Sequence, residues 1–485
     1  SEPGTHRVRC NIYHQRALLQ SRVLTARVTA SRSVRRADAA VADLDFSVMQ
    51  DLDAEHLAGL KARTLSVLVN DNGGGTHGFK FFGQRNFKSD VALEAQTLMQ
   101  EIEKARAGLR IVAWGDNKEP DPANAEASFR FSAPTRDQLV QAILVLARTG
   151  FQLYDLLADP LGGDQASELR QSMRRPGRVE FANRTSLDLL VPAACVYDYP
   201  MRWQSANAVC GAFLDALGKR SLSETECFTG ACPTYADTKV VCPSGFWGFR
   251  HEIGYAASLS GGAASDAKNQ SSVIGCSPSL VFNVAASADA HLTRRDEHLR
   301  TVAALTACQW EFAPTATGLL DLFSSSSPSI AYLYGHGGVD EAGRPYFVVG
   351  TDEDGPIYRA DLRDRVDWRK THPLVFLNGC HSAALSPNSA FTYATGFLQT
   401  SHASAVVGSE IAIAESLAVA FGEECLRRFV VDLNPLGQAV REARLALLAK
   451  NNPLGLAYLA FGPAEVRLGL PVKSRRARMS GADST

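Results

Sequence analysis

No apolar run in this 485-residue chain approaches the roughly 18–20 residues that a membrane-spanning helix needs. No segment of signal-peptide character opens it either. Cysteine is sparse, ten in 485 residues, well below the density of a disulfide scaffold, which predicts reduced thiols or metal ligands in a cytoplasmic protein. Net charge is almost absent: the formal value of −1 gives no global attraction to nucleic acid or to acidic membranes. Repeats at the roughly 34-residue period of helix–turn–helix (TPR) arrays are missing too. What remains is a chain long enough for two or three domains, with an ordinary 45% of hydrophobic and 21% of charged residues.

Charge gathers only at the ends. Residues 1–37 hold eight arginines, no lysine and a single acid, Glu2, and the tail from Lys473 to Arg478 is also basic. An organelle-targeting segment or a nucleic-acid tether would look like this, but so would a strand with a wet arginine face followed by a frayed tail. The second reading is preferred, because Val23, Thr25 and Val28 have strand character.

Along the chain, 64–69 predicts a strand, 70–75 a turn, and the region around Phe79–Phe82 a second strand. Val91, Leu98, Ile102 and Leu109 recur at helical spacing, with Ser89 or Asp90 as the cap. Strands are expected at Ile111–Trp114 and Phe129–Phe131, then a helix from Thr135 or Asp137 to Gly150. The Gly73–Gly75 run lacks the Gly-Lys-Ser/Thr ending of a phosphate loop and reads as a hairpin turn. These features make residues 1–185 an α/β module. Residues 186–275 form a Cys-rich segment ending in a Gly/Ser-rich linker. From Cys276 to about residue 470, strands alternate with helices, which predicts a mostly parallel sheet with both faces covered. A basic tail, 471–485, completes the division.

Two strands of that last unit end in chemistry. Ser329-Ile330-Ala331-Tyr332-Leu333-Tyr334-Gly335 delivers His336-Gly337-Gly338, and Pro373-Leu374-Val375-Phe376-Leu377-Asn378-Gly379 delivers Cys380-His381-Ser382. Carboxyl ends of parallel strands are where an α/β sheet opens its crevice, and a thiol with an imidazole is the minimum for cysteine nucleophilic catalysis. The N–H groups of Gly337 and Cys380 could form an oxyanion hole. His381 is an unsuitable base, since neighbouring strand residues point to opposite faces.

These motifs resemble the caspase-like fold of clan CD cysteine peptidases, most closely the CHAT family. The likeness runs over about residues 276–470 and continues through Gly350-Thr351-Asp352, Val406-Val407-Gly408-Ser409, Gly437-Gln438-Ala439, Ala443-Arg444 and Ala460-Phe461-Gly462-Pro463. The resemblance implies a three-layer α/β sandwich and a dyad of Cys380 as nucleophile and His336 as proton shuttle, with no third member named. It also implies a regulated bacterial defence effector that cleaves one dedicated protein, a gasdermin-like pore former or another effector. The N-terminal module would then dock a regulatory partner. The competing reading is a catalytically silent caspase-like scaffold; the intact His336 and Cys380 argue against it.

Many clan CD peptidases carry an acid two places before the nucleophile to select basic residues; here Asn378 stands there. Glu410 or Glu415 is the candidate to line the first substrate pocket instead, although Glu415 would equally suit a helix N-terminus. Finally, Cys210, Cys227, Cys232 and Cys242 offer four soft ligands in a loop-rich stretch, a candidate structural zinc site, with Cys195 as a substitute ligand. No cofactor is expected for catalysis.

Overall fold

The computed structural model describes residues 4–28, 41–47, 57, 60–83, 91–116, 118, 120, 125–183, 189–202, 204–205, 208–219, 221–257, 272–275, 281–326, 328–351, 355–369, 371–380, 394 and 396–469. The Gly/Ser-rich linker, Cys276, His381, Ser382 and the basic tail fall outside the described residues, except for 272–275.

An antiparallel meander comes first: β1 (Gly4–His14), β2 (Ala17–Val28) and β3 (Val41–Ser47). Its arginine-rich strands realise the preferred reading of the basic N-terminus. β4 (Leu65–Gly73) and β5 (Thr76–Phe82) form the expected hairpin, extended by β6 (Val91–Glu94). Then β7 (Arg178–Asn183) joins β4 in parallel. Two-residue strands β8 (Ala208–Val209) and β9 (Val240–Val241) pair with each other before β10 (Glu252–Ala257) returns alongside β7. The first sheet therefore has the order β10-β7-β4-β5-β6.

Short β11 (Val273–Gly275) follows, and the second sheet begins with β12 (Phe282–Ala288) and β13 (Cys308–Phe312). It continues through β14 (Ile330–Val339), β15 (Pro345–Val348), β16 (Ile357–Tyr358), β17 (Leu374–Cys380), β18 (Ala405–Ser409) and β19 (Tyr458–Phe461). Its main path is β13-β12-β14-β17-β18-β19, parallel except for the last pair, and β15 with β16 folds back antiparallel from β14. β20 (Arg467–Gly469) pairs with β11. The protein is thus a mixed α/β structure with a large mixed sheet.

Several local expectations change. Ile111–Trp114 is the last turn of a helix spanning Ala95–Trp114, and Phe129–Phe131 is not a strand. The helix with the Thr135 cap has a full capping box with Gln138, but it runs through Gly150 to Ala158. Gly150 does not stop that helix. A Cβ there would sit 2.1 Å from the Cys195 carbonyl, so the glycine serves close packing. The Cys-rich stretch is also no free-standing segment. It is an excursion between two neighbouring strands of the first sheet, since β10 lies inside it.

The two sheets meet edge to edge. Tyr255 of β10 and Gly462, just after β19, exchange backbone hydrogen bonds of 3.0 and 2.8 Å. One contiguous apolar core extends from Leu65 to Leu468. Two buried ion pairs cross the junction: Arg106 of the Ala95–Trp114 helix with Glu410 (2.9 Å), and Arg63, held by Glu180, with Glu465. Among the described residues, no helix is long and apolar enough to cross a membrane.

Removing one partner of a buried pair leaves an uncompensated charge, which costs about 3–5 kcal/mol, whereas replacing both with apolar groups restores much of it. Glu410→Leu should therefore lower stability by about 3 kcal/mol in urea unfolding, and Arg106→Met/Glu410→Leu should recover most of that loss. Equal loss in the single and double variants would show that the ion pair is not what joins the units there.

Candidate functional site

The site rests on parallel strands. β14 and β17 pair in continuous register from Ile330 opposite Leu374 to His336 opposite Cys380. Both runs are apolar apart from Asn378, and each is followed by a glycine, Gly335 or Gly379, just before His336 or Cys380. Strand alternation puts 332, 334 and 336 on one face of β14, and 376 and 378 on the same face of β17. The opposite face is closed at this level. A Cβ on Gly379 would lie 1.9 Å from the Gly335 carbonyl, and one on Gly335 would lie 2.0 Å from that of Val348 in β15.

A third residue joins His336. Asp289, immediately after β12, receives a 2.6 Å hydrogen bond from His336 Nδ1 on its Oδ2. Its Oδ1 accepts the His291 N–H at 2.8 Å. The Asp289 backbone is fixed in turn, its N–H donating to the Tyr334 carbonyl and the next N–H to that of Gly350. Gly350 has φ of +77°, and a Cβ on it would come within 2.8 Å of Thr315 Cα, so only glycine suits that corner. Asp289 is almost fully buried while the imidazole is about one-third exposed (3% and 32%). Burial alone would raise the Asp289 carboxyl. The hydrogen bonds from His336 and His291 and the adjacent imidazole charge outweigh it, so the carboxyl sits below its ordinary range.

Asp289 was not among the residues expected from the sequence. β12 runs on through the weakly apolar Ala285-Ala286-Ser287-Ala288. An acid ending that small-residue run was the available signal.

The three expected pocket residues lie in the interior. Asn378 is fully buried, donating to Tyr332 Oη (2.7 Å) and the Ala418 carbonyl (3.0 Å) and accepting from Tyr458 Oη (2.8 Å). Both of its N–H donors are spent on the core. Tyr332 continues the chain to His298 Nε2 (2.5 Å), whose Nδ1 meets Glu423 (3.0 Å). His298 was also unforeseen; a lone His in a polar helix carries no sequence signal. Glu410 is buried against Arg106, and burial raises its carboxyl despite that cation. Glu415 opens the helix Glu415–Leu426, but its carboxylate binds the turn after Asp289 and the hydroxyl of Tyr334. Gly337 lies in register opposite Phe347 of the β14–β15 hairpin.

The four candidate ligands do converge. The sulfurs of Cys210, Cys227, Cys232 and Cys242 all lie within 4.8 Å of one another, each residue buried, and Cys210 and Cys227 are 3.9 Å apart. Parallel pairing of β8 with β9 brings Cys210 and Cys242, the residues that follow them, side by side. Cys227 rides on the short helix Glu226–Thr229, and Gly230, at φ +95°, turns the chain towards Cys232. Tetrahedral zinc with bonds of about 2.3 Å needs sulfurs about 3.8 Å apart, so the donor set and spacing fit. Cys195 does not belong to this group.

No protein-family model matches the chain. A curated sequence does. A probable protease of Vitiosangium sp. (strain GDMCC 1.1324) is 36% identical over 477 residues, which cover 96% of this chain. The chain spans 62% of that relative's length. Solved structures that align with it include the Arg-specific cysteine proteinase gingipain R (TM-score 0.33, 9% identity, 77% of this chain and 76% of that one). Another is the separase–securin complex of Saccharomyces cerevisiae (TM-score 0.36, 11% identity, 85% of this chain and 30% of that one). Neighbours that distant leave the functional reading to this chain's own residues.

The depressed Asp289 carboxyl sets a direction for pH dependence. Its contribution to stability is complete above the ordinary carboxyl range, about pH 4, and is lost as pH falls through the lower folded value. The difference in urea midpoint between wild type and Asp289→Asn should narrow as pH falls below about 4. A difference that fails to narrow below about pH 4 would contradict the His336–Asp289 pair.

Proposed function

We propose that this chain is a cysteine endopeptidase of the CHAT, caspase-like type, with Cys380 as nucleophile, His336 as proton shuttle and Asp289 as the residue that orients it. The observation that carries this reading is the register of β14 and β17, which sets His336 opposite Cys380, together with the buried carboxylate on His336 Nδ1. An imidazole anchored through Nδ1 keeps one tautomer and presents Nε2 to the reaction. The Cys380 thiolate attacks the scissile carbonyl, and the N–H groups of Gly337 and Cys380 stabilise the oxyanion. His336 then gives its proton to the leaving amine, and water, deprotonated by the same imidazole, releases the acyl group. The probable-protease relative supports the peptidase class.

In this reading residues 276–470 form a three-layer caspase-like unit, and residues 1–185 receive a regulatory partner. The protein acts in the cytoplasm as a bacterial defence effector with one dedicated protein substrate, gasdermin-like or another effector. Because Asn378, Glu410 and Glu415 are committed to the interior, an uncharged P1 residue is favoured over arginine or lysine. Cys380→Ala and His336→Ala should each abolish cleavage without loss of folding, since Cys380 is the last residue of β17 and the His336 ring is about one-third exposed. New N-termini mapped across a bacterial proteome expressing wild type or Cys380→Ala would name the substrate. Full cleavage by either variant would overturn the assignment, and absence of any wild-type cleavage would favour the silent scaffold.

Zinc on Cys210, Cys227, Cys232 and Cys242 belongs to the same reading, as a structural ion that pins the excursion between β7 and β10. Metal analysis should find about one equivalent per chain. Acid should release it, because thiolate ligands must be deprotonated, and a chelator should lower the melting temperature. Full stability of metal-free protein would remove the site.

A further inference from the structure

Glu415 gathers more hydrogen bonds than any capping role requires. Its Oε2 accepts from Thr293 N–H (3.1 Å) and Thr293 Oγ1 (2.6 Å), and its Oε1 from Arg294 N–H (2.6 Å) and Tyr334 Oη (3.0 Å). The residue is only 6% exposed. Those four donors come from two places that matter. Thr293 and Arg294 lie in the turn that begins at Asp289, and Tyr334 lies two residues before His336 on the same face of β14. The helix that Glu415 opens is anchored from the other side, since the next N–H, of Ser416, donates to Glu126 of the first α/β unit at 3.1 Å.

We infer that Glu415 is a positioning residue, a single buried carboxylate that locks the Asp289 turn to the His336 strand and so fixes the Asp289–His336 geometry. This rests on the peptidase reading above. The carboxylate is required chemically. Each of its oxygens serves two donors, so an amide of the same shape would turn an NH2 group towards two of them, at least one a backbone N–H that cannot rotate away. The network also ties the catalytic strands to the first unit through Ser416 and Glu126.

The test needs no substrate. Iodoacetamide alkylation of the whole protein, read peptide by peptide by mass spectrometry, reports Cys380 against Cys10, which is exposed on β1. An unassisted thiol, with a pKa of about 8.5, labels slowly at pH 6, whereas a thiolate held by an oriented imidazolium labels fast. Wild type should show that excess at Cys380, and His336→Ala should remove it. Glu415→Gln should lower the pH 6 rate about tenfold or more, since small misplacements of a catalytic group carry losses up to about a hundredfold. At pH 9, where the thiol ionises unaided, the variant should stay within about twofold of wild type.

Tyr334→Phe and Thr293→Val, which each remove one donor and keep the carboxylate, should shift the pH 6 rate in the same direction by less. If wild type shows the excess and all three variants keep it, the positioning role falls and the peptidase reading stands. Equal loss at pH 6 and pH 9 in Glu415→Gln would also overturn the role, because general packing would explain it. A wild type with no excess over Cys10, unchanged by His336→Ala, would overturn both.

Discussion

The parallel register of β14 with β17 is the constraint on which the site depends. A shift by one residue would place His336 beside Gly379 and move every alternate side chain to the other face. The register is held by burial on both faces and by hydrogen bonds between strands, donated by Asn378 to Tyr332 and by Tyr458 of β19 to Asn378. These polar groups sit among residues such as Phe376 and Phe421, where an unmade bond is costly. Satisfied as they are, they accept one alignment of the strands and penalise the rest.

That arrangement also explains why pocket residues anticipated from the resemblance are found inside. The face of β17 that carries Asn378 is covered at that level by the helix Glu415–Leu426, whose Ala418 carbonyl takes the Asn378 amide. Asp289 follows the end of β12, and His336 stands where β14 leaves its pairing with β17 and continues beside β15.

How much of this could be read from the sequence varies with the physics of each feature. The His336 and Cys380 strands were legible because long apolar runs stop abruptly at glycine. The cysteine cluster was legible as composition, since thiols concentrated in loops have few other uses. Asp289 was not, because the strand leading to it is built from alanine and serine, whose period-2 signal is weak. Ile111–Trp114 looked like a strand because a short apolar run is equally compatible with the end of a buried helix. The interior roles of Glu410 and Glu415 depend on partners about 300 and 120 residues away, Arg106 and Thr293, which no local pattern encodes.

The edge-to-edge joint at Tyr255 and Gly462 bears on how such a protein could arise or be dissected. A fragment beginning near residue 276 would carry the reactive strands, yet its β19 border would be stripped of its neighbour. Glu410 and Glu465 would keep their carboxylates and lose Arg106 and Arg63. Such a piece has a raw flank and two orphaned anions, so it is no exchangeable module. The two halves share one apolar core and are stabilised together.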